Sequence, residues 1–237
     1  IVVITAKDKL RRLLGHGLTL ARGKAASFSS VKADEATIEE NGITGIPELV
    51  GLPVPSVYSA ELSAFVFAAG VKLMERDRPD IMYLSTTDYI QHKHAPGTPV
   101  ANDFYVMMDG YLEQLEQMGC LIALTADHGM NAKHDAETGE PNVFYLQDWM
   151  DERLGSGAAR VILPITDPYV VHHGALGSFA TVYIPEGVET GPVIEGLLDM
   201  EPIGCALTRA EGCKRFGLPE DRMGELIVVS PKHTTLG

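Results

Sequence analysis

Short β-branched and aliphatic runs alternate along the chain with stretches in which apolar residues recur every three or four positions. The runs predict buried strands and the recurring positions predict helices. The predicted strands are Ile1 to Ile4, Asp80 to Leu84, Cys120 to Thr125, Arg160 to Leu163, Phe179 to Ile184 and Gly224 to Ser230. The predicted helices are Lys9 to Leu14, Ser59 to Arg76, Pro99 to Met118 and Pro192 to Met200. This alternation favours an α/β fold with a largely parallel central sheet flanked by helices.

The pattern changes after about Gln147, where shorter strand-like and helix-like pieces follow one another. We interpret residues 1–146 as an α/β core that binds metal and residues 147–223 as an inserted small α+β cap. Residues 224–237 are expected to return to the core. The stretch Ala25 to Asp34 has no clear period and predicts a loop.

The composition of the chain limits the kinds of molecule that it is expected to bind. The chain has 237 residues, of which 45% are hydrophobic, and a formal charge of −13 at pH 7. A sizeable core is therefore expected, and the acidity disfavours nucleic acid as a partner. No run approaches the roughly 18 apolar residues of a membrane span, so we expect no membrane partner. An acidic chain can still bind a small anion in a locally positive, metal-lined pocket.

The cysteines Cys120, Cys205 and Cys213 form an odd set without a C-x-x-C spacing. Reduced thiols and a cytoplasmic location are the favoured interpretation, ahead of a disulfide scaffold or a thiolate metal site. The chain opens inside an apolar run at Ile1 with no initiator methionine and no signal-peptide pattern, so we expect it to be cut from a longer protein. A homodimer is left open.

Asp88 and His92 lie four positions apart, directly after a predicted strand. On one helical turn, both side chains would project from the same face and could share a metal ion. Carboxylate oxygen and imidazole nitrogen both suit Zn²⁺. The same spacing also fits a helix-capping aspartate and a surface histidine.

A second carboxylate–imidazole pair, Asp127 and His128, follows the predicted strand Cys120 to Thr125. Gly129 comes next and would let the chain turn sharply beneath the two side chains. Alone, this motif also fits a turn with a hydrogen-bonded histidine. Two strand ends that each present such a pair favour two neighbouring divalent ions, which can hold the attacking and leaving oxygens of a phosphorus centre.

Together, Asp88-x-x-x-His92 after a strand and the run Thr125-Ala126-Asp127-His128-Gly129-Met130 resemble the metal-ligand pattern of the alkaline phosphatase superfamily. Three longer stretches are similar to the phosphonoacetate hydrolase family in particular. They are Ile4 to Arg11, Asn102 to Tyr111 and Pro164 to Thr181. The resemblance covers nearly the whole chain and implies an alkaline-phosphatase-like core.

The resemblance also implies two Zn²⁺ ions. Asp88 and His92 would hold one of them with a C-terminal histidine. Asp127 and His128 would hold the other with an N-terminal aspartate and a threonine nucleophile. The chain departs from this pattern by omission, because the aspartate and threonine would precede its first residue and the histidine would follow its last. We therefore expect no catalytic nucleophile in this chain and partial or no metal occupancy.

The activity that the resemblance implies is hydrolysis of phosphonoacetate to acetate and phosphate by cleavage of the carbon–phosphorus bond. The leaving carbanion would be delocalised by the adjacent carboxylate as an enediolate. Lys7 and Lys9 follow the first predicted strand and match the substrate-binding lysines of the family. We expect them to bind the small phosphonate and to stabilise the developing charge. A solvated helix start is the alternative.

Two other functions stay open. A nucleotide pyrophosphatase or phosphodiesterase would keep the two-metal core but needs an apolar or aromatic slot for a nucleobase. The aromatic content of 7% offers few candidates for that slot. The third alternative is a noncatalytic, metal-poor fold fragment, inactive as it stands.

The remaining polar clusters receive structural interpretations. A polar turn is favoured for the residues after the second motif, and a structural or substrate-adjacent role for a histidine pair in the cap. The turn comprises Lys133, His134 and Asp135, and the pair is His172 and His173. No role is expected for the isolated histidines His16, His94 and His233.

Overall fold

The computed structural model describes residues 1–132, 134–163 and 177–237 and divides into two units, Ile1–Met130 and Asn131–Gly237. Within the described residues, no helix is long and apolar enough to cross a membrane. The expected α/β architecture with a parallel sheet and flanking helices is confirmed in the first unit. All three cysteines are free thiols, as expected from their spacing.

The first unit is organised by a three-stranded parallel sheet. Its elements are β1 (Val2–Thr5), α1 (Asp8–Gly15), β2 (Ala26–Ser29), α2 (Ile38–Asn41), α3 (Ile46–Val50), α4 (Glu61–Asp77), β3 (Met82–Ser85), α5 (Tyr89–Lys93) and α6 (Pro99–Gln117), with a 3-10 helix at Ser30–Glu35. The strand order is β2-β1-β3, and Ile4 of β1 lies opposite Phe28 and Leu84. The central strand therefore has all four of its side chains buried.

Helix α4 packs on this sheet and is buried on every side from Phe65 to Val71. Leu62 and Leu73 are fully buried, and Phe65 is almost so. Gly70 lets the helix approach β3 closely, because a Cβ at this position would lie 3.0 Å from the side chain of Leu84. The long apolar run that predicts a helix thus forms the largest part of the core in the first unit.

Strand β2 was not expected from the sequence. Its alternating serines, Ser27 and Ser29, suggest a polar loop, yet all four residues of the strand are buried. Hydrogen bonds satisfy the polar groups, since the Ser27 hydroxyl donates to the carbonyl of Arg11 and the Ser27 carbonyl accepts from the amide of Asn41. Hydroxyl groups with hydrogen-bond partners are tolerated in a core, so the loop predicted from the polarity of this stretch is wrong at β2.

The expected buried strand at Cys120 to Thr125 is wrong. Residues 121–129 are all exposed and form no strand; Leu121 is fully exposed and Leu124 is 68% exposed. A strand needs backbone partners in a neighbouring strand, and among the described residues none pairs with this segment. The apolar composition of this segment predicted burial, but composition does not determine whether a neighbouring strand is there to pair with it.

The second unit is built on an antiparallel sheet. Its elements are β4 (Val143–Phe144), α7 (Leu146–Leu154), β5 (Arg160–Ile162), β6 (Phe179–Tyr183), α8 (Thr190–Leu198), β7 (Cys205–Thr208), α9 (Arg209–Phe216), β8 (Leu226–Val229) and β9 (Thr235–Leu236), with a 3-10 helix at Glu220–Arg222. The strand order is β5-β6-β8-β7, and β4 pairs in parallel with β9. The buried residues Leu146, Val182 and Leu226 belong to its core.

Strand β7 and helix α9 were also not predicted, although the sequence carries a signal for the helix. Thr208 caps α9 by accepting a hydrogen bond from the Glu211 N–H, and Glu211 accepts from the Thr208 N–H in return. This reciprocal capping box corresponds to the spacing Thr-x-x-Glu. The proposed division at residues 146 and 223 stays a prediction.

Candidate metal centre

Polar residues gather where two adjacent strands of the first unit end. Thr5 of β1 lies opposite Ser85 of β3, and the Ala6 N–H donates to the Ser85 carbonyl over 2.8 Å. Lys7 lies two residues after the end of β1, and Asp88 lies three residues after the end of β3. The carboxyl edge of this sheet is where ligands of open α/β folds commonly bind.

Asp88 and His92 lie on one helical turn, as their spacing predicts. The Asp88 carbonyl accepts from the His92 N–H over 2.9 Å and thereby starts α5. The Asp88 carboxylate caps no backbone N–H; its Oδ2 instead lies 2.8 Å from His92 Nε2. The carboxylate is therefore directed at the imidazole, and the alternative of a side-chain helix cap is wrong.

His128 comes close to the same carboxylate from another segment. Its Nε2 lies 3.8 Å from Asp88 Oδ2 and 3.8 Å from Asp127 Oδ1. His128 Nδ1 lies 3.1 Å from the Gly129 carbonyl, so a proton on Nδ1 would leave Nε2 with its lone pair available. Gly129 does not adopt a positive φ, and a Cβ would meet open space, so this turn does not require glycine.

The four predicted metal ligands differ in exposure. The exposed fraction of the side chain is 27% for His92, 49% for Asp88 and His128, and 93% for Asp127. Their oxygen and nitrogen atoms are the donors that zinc prefers, so the set fits zinc in kind. Among the described residues, however, no group of three or more His, Cys, Asp or Glu side chains could hold a metal ion. Asp88 and His92 thus form one close pair, with His128 further away, and a four-coordinate zinc site would need further ligands.

The two predicted substrate lysines lie at the start of α1, and both are exposed. Lys7 Nζ lies 5.3 Å from the centroid of the Tyr58 ring, within the range of a cation–π contact. Lys9 lines a shallow surface cavity of about 440 Å³ together with Arg12. No local pattern points to Tyr58, because its contact with Lys7 joins distant parts of the chain.

Asp8, between the two lysines, anchors the first turn of α1. Its carboxylate accepts from Arg11 Nε over 2.9 Å and from Arg12 Nε over 2.8 Å, and the Ser29 hydroxyl lies at 3.4 Å. Burial raises the pKa of Asp8, but the hydrogen bonds and charges of Arg11 and Arg12 outweigh it and lower the pKa below its ordinary value. The helix start next to the lysines is therefore fixed to β2.

A buried serine that the sequence pattern did not reveal contacts the turn that carries Asp88. The Thr87 N–H donates to Ser63 Oγ over 3.2 Å, and Ser63 is 1% exposed in the first turns of α4. A serine inside a long apolar helical run is a weak signal for such a contact. The pattern alone does not reveal its partner.

The other polar residues occupy turns or fall outside the described part of the chain. Asp135 Oδ1 accepts from the N–H groups of Glu137 and Thr138, so Asp135 begins a polar turn, whereas His134 forms a β-bridge with Pro141. The predicted roles of Lys133, His172 and His173 lie outside the described residues.

Comparisons with a family profile and with solved structures both place this chain among phosphorus-bond hydrolases. A sequence profile described as "Type I phosphodiesterase / nucleotide pyrophosphatase" matches residues 50–232. Two crystal structures of phosphonoacetate hydrolase from Sinorhizobium meliloti 1021, in complex with phosphonoformate and with phosphonoacetate, are each 58% identical to this chain with a TM-score of 0.84. They match 100% of this chain but only 57% of their own, so this chain spans a little over half of their length. The resemblance expected from the sequence is confirmed.

Proposed function

The chain belongs to the type I phosphodiesterase / nucleotide pyrophosphatase family, and from this we propose that it forms the metal-binding part of a phosphonoacetate hydrolase. The observation that carries the proposal is the convergence at Asp88. Its carboxylate lies 2.8 Å from His92 Nε2 and 3.8 Å from His128 Nε2, which belong to different segments. The chain is also 58% identical over its whole length to an enzyme solved with phosphonoacetate.

We assign Asp88 and His92 to one zinc ion and Asp127 and His128 to a second. Zinc bound there would act as a Lewis acid that withdraws charge from the phosphonyl oxygens. The His128 Nδ1 contact with the Gly129 carbonyl, at 3.1 Å, would orient the imidazole and fix the proton on Nδ1. The pairing of Asp88 with His92 would likewise hold both donors in position before the ion binds.

Lys7 and Lys9 would bind the negatively charged substrate. When the carbon–phosphorus bond breaks, its electron pair stays on carbon and is delocalised into the substrate carboxylate as an enediolate. An ammonium group near that carboxylate stabilises the new charge, and protonation of the carbon then yields acetate. Water supplies the oxygen that turns the phosphonyl group into phosphate. The threonine nucleophile implied by the resemblance stays a prediction and has no residue assigned in this chain.

One observation favours a second candidate, which is a nucleotide pyrophosphatase or phosphodiesterase. The profile that matches residues 50–232 carries that description. This activity would use the same metal-ligand pairs and would leave Lys7 and Lys9 without a carboxylate to bind. Cleavage of a nucleotide diester is therefore the comparison that separates the two enzymes.

The third candidate is a metal-poor and inactive chain. It is favoured by the absence, among the described residues, of any group of three His, Cys, Asp or Glu side chains that could hold a metal ion. A small phosphonate as substrate, a cytoplasmic location and the lack of nucleic-acid and membrane partners stay predictions, and a homodimer stays open.

The experiment that tests the proposal measures phosphate release from phosphonoacetate, with p-nitrophenyl phosphate and a nucleotide diester as comparators. It uses the full-length protein expressed from its complete gene and supplied with Zn²⁺, and the 237-residue chain in parallel. We expect release from phosphonoacetate by the full-length protein and its loss on His128→Ala. His16→Ala, an exposed histidine with no assigned role, is the matched control and is expected to keep the activity.

The comparators decide between the candidates. Cleavage of the diester alone would overturn the phosphonoacetate assignment and favour the phosphodiesterase. If only the short chain is inactive and zinc-free, the metal-poor candidate describes this chain and the proposal holds for the full-length protein.

A further inference from the structure

The turn that carries Asp88 is held at two points. On one side, the Ala6 N–H donates to the Ser85 carbonyl over 2.8 Å, which continues the pairing of β1 with β3. On the other side, the Thr87 N–H donates to Ser63 Oγ over 3.2 Å. The first bond extends a sheet and involves only backbone atoms. The second depends on one side chain, so a single substitution can remove it.

Ser63 is a well-fixed acceptor. It is 1% exposed and lies in α4 next to Leu62, which is fully buried, and near Phe65, which is 1% exposed. Serine inside a helix is usually neutral or unfavourable because its hydroxyl competes for backbone bonds. The bond from the Thr87 N–H satisfies the Ser63 hydroxyl oxygen in this buried position. It ties the core helix to the turn after β3.

This bond holds the residue that immediately precedes the proposed metal-ligand pair. Asp88 follows Thr87, and its carbonyl accepts from the His92 N–H over 2.9 Å to begin α5. Its carboxylate then lies 2.8 Å from His92 Nε2. Displacing the Thr87 N–H would therefore move the start of α5 and, with it, both donors.

We propose that Ser63 is a positioning residue that holds Asp88 and His92 in the geometry that binds zinc. The inference rests on the proposed function, since it assigns zinc to that pair. Ser63 itself binds neither metal nor substrate. Its loss is expected to weaken zinc binding at one site, because residues that orient metal ligands typically contribute about 10- to 100-fold to affinity.

The test compares Ser63→Thr with Ser63→Val in the full-length protein. Threonine and valine add similar bulk at the buried position, but only threonine keeps a hydroxyl. Zinc affinity is measured by competition with a chromophoric chelator, and thermal unfolding of the metal-free protein is measured in parallel. We expect Ser63→Val to bind one zinc about 10- to 100-fold more weakly than Ser63→Thr. Ser56→Ala, an exposed serine on the loop before α4, is the control and is expected to bind as the unaltered protein does.

The paired variants separate positioning from general stability. Equal zinc affinity of Ser63→Thr and Ser63→Val would overturn the inference, even if both variants melt at lower temperature than the unaltered protein. If the unaltered protein binds no zinc, or if Asp88→Ala binds it equally well, the proposed function fails and this inference fails with it. A loss confined to the valine variant supports both.

Discussion

Two segments of the first unit carry the same pair of chemical groups but hold them differently. Asp88 and His92 follow β3. The Ser85 carbonyl accepts a hydrogen bond from the N–H of Ala6, after β1, and the Thr87 N–H donates to Ser63 of α4. Asp127 and His128 follow residues 121–125, which form no strand and are exposed. The side chain of Asp127 is 93% exposed, against 49% for Asp88.

The difference shows that a ligand motif and a ligand site are separate properties. A motif needs only the right residues at the right spacing, whereas a site needs neighbouring elements that fix their side chains. The first segment has the predicted motif and neighbouring elements that hold its turn. The second has the motif and, within the part of the chain that the structure describes, an approach of His128 Nε2 to Asp88 Oδ2 at 3.8 Å. Asp88 is therefore the group on which the two segments converge.

The largest expected effect breaks this convergence. Asp88→Ala removes a carboxylate that lies near both imidazoles, so we expect phosphonoacetate hydrolysis by the full-length protein to fall at least about a thousandfold, since a zinc ion contributes several kcal/mol to such a reaction. Zinc content measured by mass spectrometry should fall as well. Asp34→Ala, an exposed aspartate away from the motifs, is the control. Unchanged activity of Asp88→Ala would remove this residue from the site.

A second pair of substitutions compares the packing of the two segments. Leu62→Ala empties a fully buried position in α4 and is expected to lower the free energy of unfolding by about 2–5 kcal/mol. Leu124→Ala removes a side chain that is 68% exposed and is expected to change it by less than about 0.5 kcal/mol. Urea unfolding of both variants provides the measurement. A large loss at Leu124 would mean that the expected buried strand forms after all.

The same contrast explains how far the sequence could predict the molecule. The recurrence of apolar residues located α4, which is buried on every side from Phe65 to Val71, and α6, which buries a few positions of one side. The spacing of Asp88 and His92 located a shared face because one helical turn contains them. The hydrogen bonds of Ser63 and Asn41 join positions far apart in the chain, and no local pattern encodes them. The strand predicted at residues 120–125 was wrong for the same reason, because a strand depends on a hydrogen-bonded neighbour as much as on its own composition.

The smallest expected effect concerns the anchor of α1 beside the predicted substrate lysines. The side chain of Asp8 is 15% exposed and is paired with Arg11 and Arg12. Asp8→Asn removes the charge from these pairs, so we expect a loss of about 1 kcal/mol in the free energy of unfolding at pH 7. Asp34→Asn, at an exposed position of the same unit, is the control.

The pH dependence of this loss follows from the lowered pKa of Asp8. A carboxyl group with a lower pKa in the folded state stabilises the protein above its unfolded pKa, about 3.9 for aspartate, and this stabilisation is lost as the pH falls through the folded value. The difference between the unaltered protein and Asp8→Asn should therefore be constant from pH 7 to about pH 5 and shrink below about pH 4. Urea unfolding at each pH measures it. If the difference in the free energy of unfolding is undiminished at pH 2, Asp8 stabilises the protein by packing and not by its charge. The start of α1 would then be held by packing, as α4 is.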